Sequence, residues 1–136
     1  MLNRRLIPTT TVLLAVLSIL ISVPMWASAA VKSGYTQRGI ASYYGSRFHG
    51  RMTASGEIFN QWTRSAAHKS LPLSAKVRVT KLSDGRSIVV RINDRGPFVK
   101  GRIIDLSRKA AQDLGIIKHG LAKVKVEVLS LPRKRR

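Results

Sequence analysis

Six side chains, Glu57, Asp84, Asp94, Asp105, Asp113 and Glu127, are the only carboxylates in a chain of 136 residues that also carries 25 lysines and arginines. A carboxyl acid or base must come from this set, and with no cysteine there is no thiol nucleophile, thiolate metal ligand or lipidation point. Local context sorts the six. Asp84 belongs to Asp84-Gly85, a two-residue hairpin signal in which Asp bonds nearby backbone N–H groups. Glu127 alternates with lysines on the polar side of a strand pattern, and Asp113 lies in a short helical stretch; both positions suit a surface charge.

Three carboxylates remain. Asp105, in "GRIIDLS", stands between an apolar pair and a helix start, where capping or loop-pinning at the helix's positive end is expected ahead of catalysis. Glu57 follows "TASG", and Asp94 leaves an alternating run in "RINDRGPF", a strand-end loop position able to present a carboxylate to a substrate. The neighbouring Arg95 leaves Asp94 with two readings, a proton donor or half of a loop ion pair, and the residues alone do not choose between them.

Of the histidines, His119 falls in a turn before the last apolar run. His49, in "RFHGRMTASGE", can contact a polar ligand, while His68, in "SAAHKSLPL", has a context that suits burial. No H-E-x-x-H and no histidine pair at helical spacing is present, so neither a metal nor any other cofactor is expected.

These groups must be held by short elements. In "AKVRVTKLSDGRSIVVRIND", Val77 and Val79, then Ile88, Val90 and Ile92, alternate with polar residues across the Asp84-Gly85 turn and predict a hairpin with one wet face. Val124, Val126 and Val128 in "KVKVEV" predict another half-buried strand. Ser107 can cap a helix "RKAAQDL" that Gly115 ends. Several strands and one or two brief helices predict a β-rich chain closed into a small barrel.

At the N-terminus, Arg4 and Arg5, the apolar run Thr11–Val23 and the small residues of "WASAA" read as a secretory signal peptide cleaved near Ala29; an uncleaved anchor is the alternative. The expected limits are a signal peptide over 1–29, a polar lead-in over 30–37, one domain over 38–130 and a basic tail over 131–136. The formal charge of +19 raises the question of nucleic acid. Export argues against it and toward anionic cell-wall partners, for a periplasmic or secreted monomer without a lipid anchor.

Together, "GIASYYGSRFHGRMTASGE", "AAHKSLPL", "KVRVTKLSDGRSIVVRINDRGPF" and "GRIIDLSRKAAQDLGI" resemble the rare lipoprotein A (RlpA) family, in order and spacing, over about Gly39 to Leu129. The resemblance implies an all-β fold, a six-stranded double-psi β-barrel with one or two short helices. It also implies an endolytic peptidoglycan lytic transglycosylase that cleaves the β-1,4 bond between N-acetylmuramic acid and N-acetylglucosamine and leaves 1,6-anhydro ends. Asp94, His68 and Glu57 are the implied catalytic set, with Asp94 as proton donor. Tyr44 is singled out from the aromatic residues Tyr43, Tyr44, Phe48, Phe59 and Trp62 as a sugar contact, and His49, Arg51 and Arg95 complete the expected substrate-binding set. The chain departs from the family in lacking the lipidated cysteine and the C-terminal peptidoglycan-binding repeat domain that many members carry. The rival expectation is a noncatalytic expansin-like wall-binding module, and a third is an inhibitor or virulence factor built on the same barrel.

Overall fold

The computed structural model describes residues 31–134. The expected signal peptide and the last two residues of the basic tail lie outside the described residues. Six strands and one helix follow in chain order: β1 (Thr36–Tyr43), β2 (Ser65–His68), β3 (Lys76–Lys81), β4 (Ser87–Asp94), β5 (Arg102–Leu106), α1 (Arg108–Leu114) and β6 (Ala122–Ser130). They close into a barrel in the order β1-β5-β2-β4-β3-β6. Two neighbouring pairs, β1 with β5 and β2 with β4, run parallel, and the others antiparallel. This is the six-stranded closed barrel that the motifs implied.

Period-two alternation fills the barrel. Val77, Val79, Val90, Ile92, Val124, Val126 and Val128 are all buried, joined by Ile104 and Leu106 of β5. Each fully buried aliphatic side chain of this size contributes about 1.5–3 kcal/mol of transfer free energy. The helix has its expected limits. Ser107 Oγ accepts from the Ala110 N–H at 3.2 Å, and Gly115 ends the helix in the left-handed conformation at φ 75°, with its own N–H returning to the last carbonyls.

Two local expectations are corrected. The turn between β3 and β4 is longer than a two-residue hairpin: Lys81 N–H bonds Arg86 C=O, so Leu82–Gly85 form a four-residue loop. Asp84 still has the turn role, accepting from Arg86 N–H and pairing with Lys81, and the Lys81 bond sets the loop length. The polar lead-in is also shorter than expected, since Thr36 and Gln37 already belong to β1 and pair with Glu127 and Val126 of β6.

Candidate active site

The strand ends bring three groups to one end of the barrel. Asp94 is the last residue of β4, Tyr44 follows β1, and Asp105 lies on β5 beside β1, in register with Ser42. The connection from β4 to β5, residues 95–101, passes the same end. Gly96 turns it at φ 119°, a conformation that glycine tolerates and a side chain resists.

Asp94 is held on both oxygens. Its Oδ1 accepts from the backbone N–H groups of Ala54 (3.0 Å) and Arg95 (2.8 Å), and its Oδ2 accepts from the Tyr44 hydroxyl at 3.1 Å. Burial, with the Asp94 charge and hydrogen bond adding to it, raises the Tyr44 phenol well above its ordinary value, so it stays a donor. The Tyr44 ring packs against Phe48 and Phe59, with centroids 5.4 and 4.9 Å away. Arg95 does not pair with Asp94. Its guanidinium reaches away to the carbonyls of His68 (3.2 Å) and Leu71 (2.6 Å), which removes the loop ion pair as an account of Asp94.

Asp105 is where the sequence expectation fails. It is not a cap, because Ser107 fills that role; Asp105 belongs to β5, on the face opposite the buried Ile104 and Leu106. Its Oδ1 accepts from the Ser42 hydroxyl at 3.1 Å. Burial pushes its pKa up to about 6, against the opposing pull of Ser42 and Arg102 and with the Asp94 charge adding to the rise. The available sequence signal was an acid inside an apolar strand at the parity of the outward face, overridden by its closeness to the helix start.

All six carboxylates of the chain lie among the described residues, and four are in ion pairs: Glu57 with Arg91, Asp84 with Lys81, Asp113 with Arg64 and Lys109, and Glu127 with Arg78. Asp94 and Asp105 make none with a cation among the described residues. Both line one groove, about 470 Å³, with Tyr44, Arg47, Phe48 and Phe98, and a second cavity of about 250 Å³ continues past Asp94 along Arg51, Met52 and Phe59. Phe98, 82% exposed, supplies an apolar lip that the sequence did not single out.

The other expected site residues lie elsewhere. The His68 ring is buried and used at both nitrogens: Nδ1 accepts from Ser70 and Leu71 N–H, so Nε2 carries the proton and donates to Gln37 Oε1 at 2.8 Å. Burial, with the charges of Arg95 and Lys69, holds its pKa down at about 4, and the ring lines neither cavity beside Asp94. Glu57 makes a two-pronged contact with Arg91, which holds its carboxyl below the ordinary value, and is likewise absent from both walls. Its backbone C=O accepts from Thr53 N–H and Oγ1, closing the turn that delivers Ala54 N–H to Asp94. His49 accepts from Gln61 N–H through Nδ1 and is exposed, and Trp62 is outside both cavities, whereas Arg95 lines the groove and Arg51 the smaller cavity beside it.

Comparisons with known proteins agree with this frame. The lytic transglycolase family matches residues 36–126. A protein of Pasteurella multocida named endolytic peptidoglycan transglycosylase RlpA is 57% identical over 104 residues, which are 76% of this chain and 35% of that protein. One of the same name from Vibrio cholerae is 49% identical over 100 residues, 74% of this chain and 38% of that protein. The chain thus spans little more than a third of the length of these relatives. Among solved structures, the Streptomyces papain inhibitor superposes with a TM-score of 0.62 at 21% identity, over 74% of this chain and all of that one. The apo expansin of Clavibacter michiganensis gives 0.57 at 21% identity, over 73% of this chain and 52% of that one. At such identity these two show the fold alone, and the topology is that of a double-psi β-barrel.

Proposed function

Because the chain belongs to the lytic transglycolase family, we propose that it is an endolytic peptidoglycan transglycosylase acting outside the cytoplasm on the β-1,4 bond between N-acetylmuramic acid and N-acetylglucosamine. The observation that carries this reading is the placing in one groove of Asp94 and Asp105, the two carboxyls with no ion pair among the described residues.

The reaction needs a group that holds a proton near neutral pH and a group that takes one up. Asp105 suits the first task, since burial keeps it protonated to about pH 6. It gives its proton to the glycosidic oxygen as the C1–O bond breaks, and the glucosamine side leaves as an alcohol. The muramyl O6 then forms the new bond to C1. Its proton passes to Asp94, whose charge faces the oxocarbenium-like centre while Tyr44 fixes the carboxylate's orientation. No water is consumed, and the 1,6-anhydro ring results. On this reading the donor role implied for Asp94 passes to Asp105, and His68 and Glu57 act through the loops they pin.

Incubating the protein with intact and with peptide-stripped glycan, and weighing the products by mass spectrometry, tests this. Anhydromuramyl ends are expected from the wild type, with strong losses in Asp94→Asn and Asp105→Asn. Reducing ends would mean hydrolysis. A folded protein that binds wall glycan yet releases nothing would favour the expansin-like binding module.

A further inference from the structure

The ring of Phe48 stands against two guanidiniums. The Arg47 carbon lies 4.9 Å and the Arg51 carbon 5.6 Å from its centroid. Both arginines are exposed, and the ion pairs of the described residues include neither. Phe48 lines both cavities that meet at Asp94; Arg51 lines one of them, and Arg47 lines the other with Asp105. Arg95, by contrast, is already engaged with two backbone carbonyls.

A guanidinium resting on an aromatic face gives up part of its rotational freedom in advance and keeps its N–H edge free for a planar anion. The setting supplies a reason for such an anion. The Asp94 carboxylate in this groove repels a negatively charged substrate unless cations stand beside it. Where the stem peptide has been removed, the muramyl sugar carries such a charge in the lactyl carboxylate on its C3, and this is the sugar whose C1 bond is cleaved; an attached stem peptide makes that carboxyl a neutral amide. The glucosamine residue has none.

Resting on the function proposed above, we propose that Arg47 and Arg51, braced on Phe48, form a carboxylate clamp that reads the lactyl carboxylate of the muramyl residue at the bond to be cut. The clamp sets which of the two alternating glycosidic bonds lies over the carboxyls. A substrate without this charge, such as a plain N-acetylglucosamine polymer, would bind without that register.

The test is a thermodynamic cycle in binding, which does not depend on turnover. End-labelled, peptide-stripped glycan strands with free lactyl carboxylates are compared with the same strands converted to methylamides, using fluorescence anisotropy. Methylamidation should weaken wild-type binding roughly fivefold, in the range of a charge-assisted contact at a half-exposed site. In Arg47→Gln/Arg51→Gln that factor should fall to about one, whereas Lys76→Gln/Lys118→Gln, which removes the same charge elsewhere, should keep it. Thermal melts establish that each variant is folded, and Arg51→Gln alone serves if the double variant is not. Equal wild-type binding of both strands would overturn the clamp, and so would a factor that falls equally in the lysine control. An absence of anhydro products from the wild type would instead count against the proposed function, with the binding cycle still deciding the clamp.

Discussion

Tyr44 and Asp94, fifty positions apart, meet through one hydrogen bond in which the phenol donates to Oδ2 at 3.1 Å. The contact joins the end of β1 to the end of β4, and among the described residues it is the only side-chain donor on the carboxylate; the other two partners are backbone N–H groups. Tyr44→Phe keeps the packing on Phe48 and Phe59 and removes this donor. Turnover should fall about tenfold, as for loss of a hydrogen bond to a charged group, with the melting temperature little changed. A matching loss of stability would make the contact structural.

Asp105 and His68 should pull the stability in opposite directions with pH. The Asp105 carboxyl titrates at about 6 when folded against 3.8 ordinarily, so the folded state binds more protons between those values. Its share of stability is full below about pH 4 and lost as pH rises through 6, by about 3 kcal/mol. Asp105→Asn removes that loss. The variant should be more stable than wild type at pH 8, should gain less over it at pH 4, and should be inactive. An unchanged difference between the two melts at pH 4 and pH 8 would show that Asp105 is not held protonated.

His68 has the reverse sign. Its folded value of about 4 lies below the ordinary 6.5, so its contribution is full above pH 6.5 and lost as pH falls through 4. His68→Ala leaves the N–H groups of Ser70 and Leu71 without their acceptor and frees the loop that holds Arg95, and it should cost about 2 kcal/mol at pH 7. Turnover should fall with it. The turnover profile of the wild type should lack a limb near pH 6.5 from an imidazole; a limb that His68→Gln abolishes would return the ring to the chemistry.

Glu57 and Arg91 should behave as one unit. Glu57→Gln and Arg91→Gln each break the same half-exposed pair, each should cost under about 1 kcal/mol, and each should lower turnover a few fold by loosening the turn that carries Ala54. The double variant should be no worse than either single one. If Glu57 touched substrate, Glu57→Gln would lose far more than Arg91→Gln.

Much of this was legible in the chain itself. The inward valines, the helix cap at Ser107 and the barrel follow from period-two alternation and local capping, which depend on neighbours in sequence. Asp94 and Tyr44, which the motifs single out, line one groove. What could not be read depends on contacts across the barrel. Asp105 meets Ser42 over 63 positions, and His68 meets Gln37 over 31, inside a segment read as a lead-in. The direction of Arg95 was equally hidden, because adjacency to Asp94 does not say that its guanidinium turns toward the carbonyls of residues 68 and 71.

The pairing of β6 with both β1 and β3 also has a kinetic meaning. The first strand of the barrel finds one of its two neighbours only in the last, so two open strand edges persist until residues 122–130 arrive. Closure over nearly the whole sequence gives a high contact order, and refolding is expected in milliseconds to seconds rather than microseconds. A chain that still lacks its final strand keeps β1-β5-β2-β4-β3 as an open sheet and has no barrel to close.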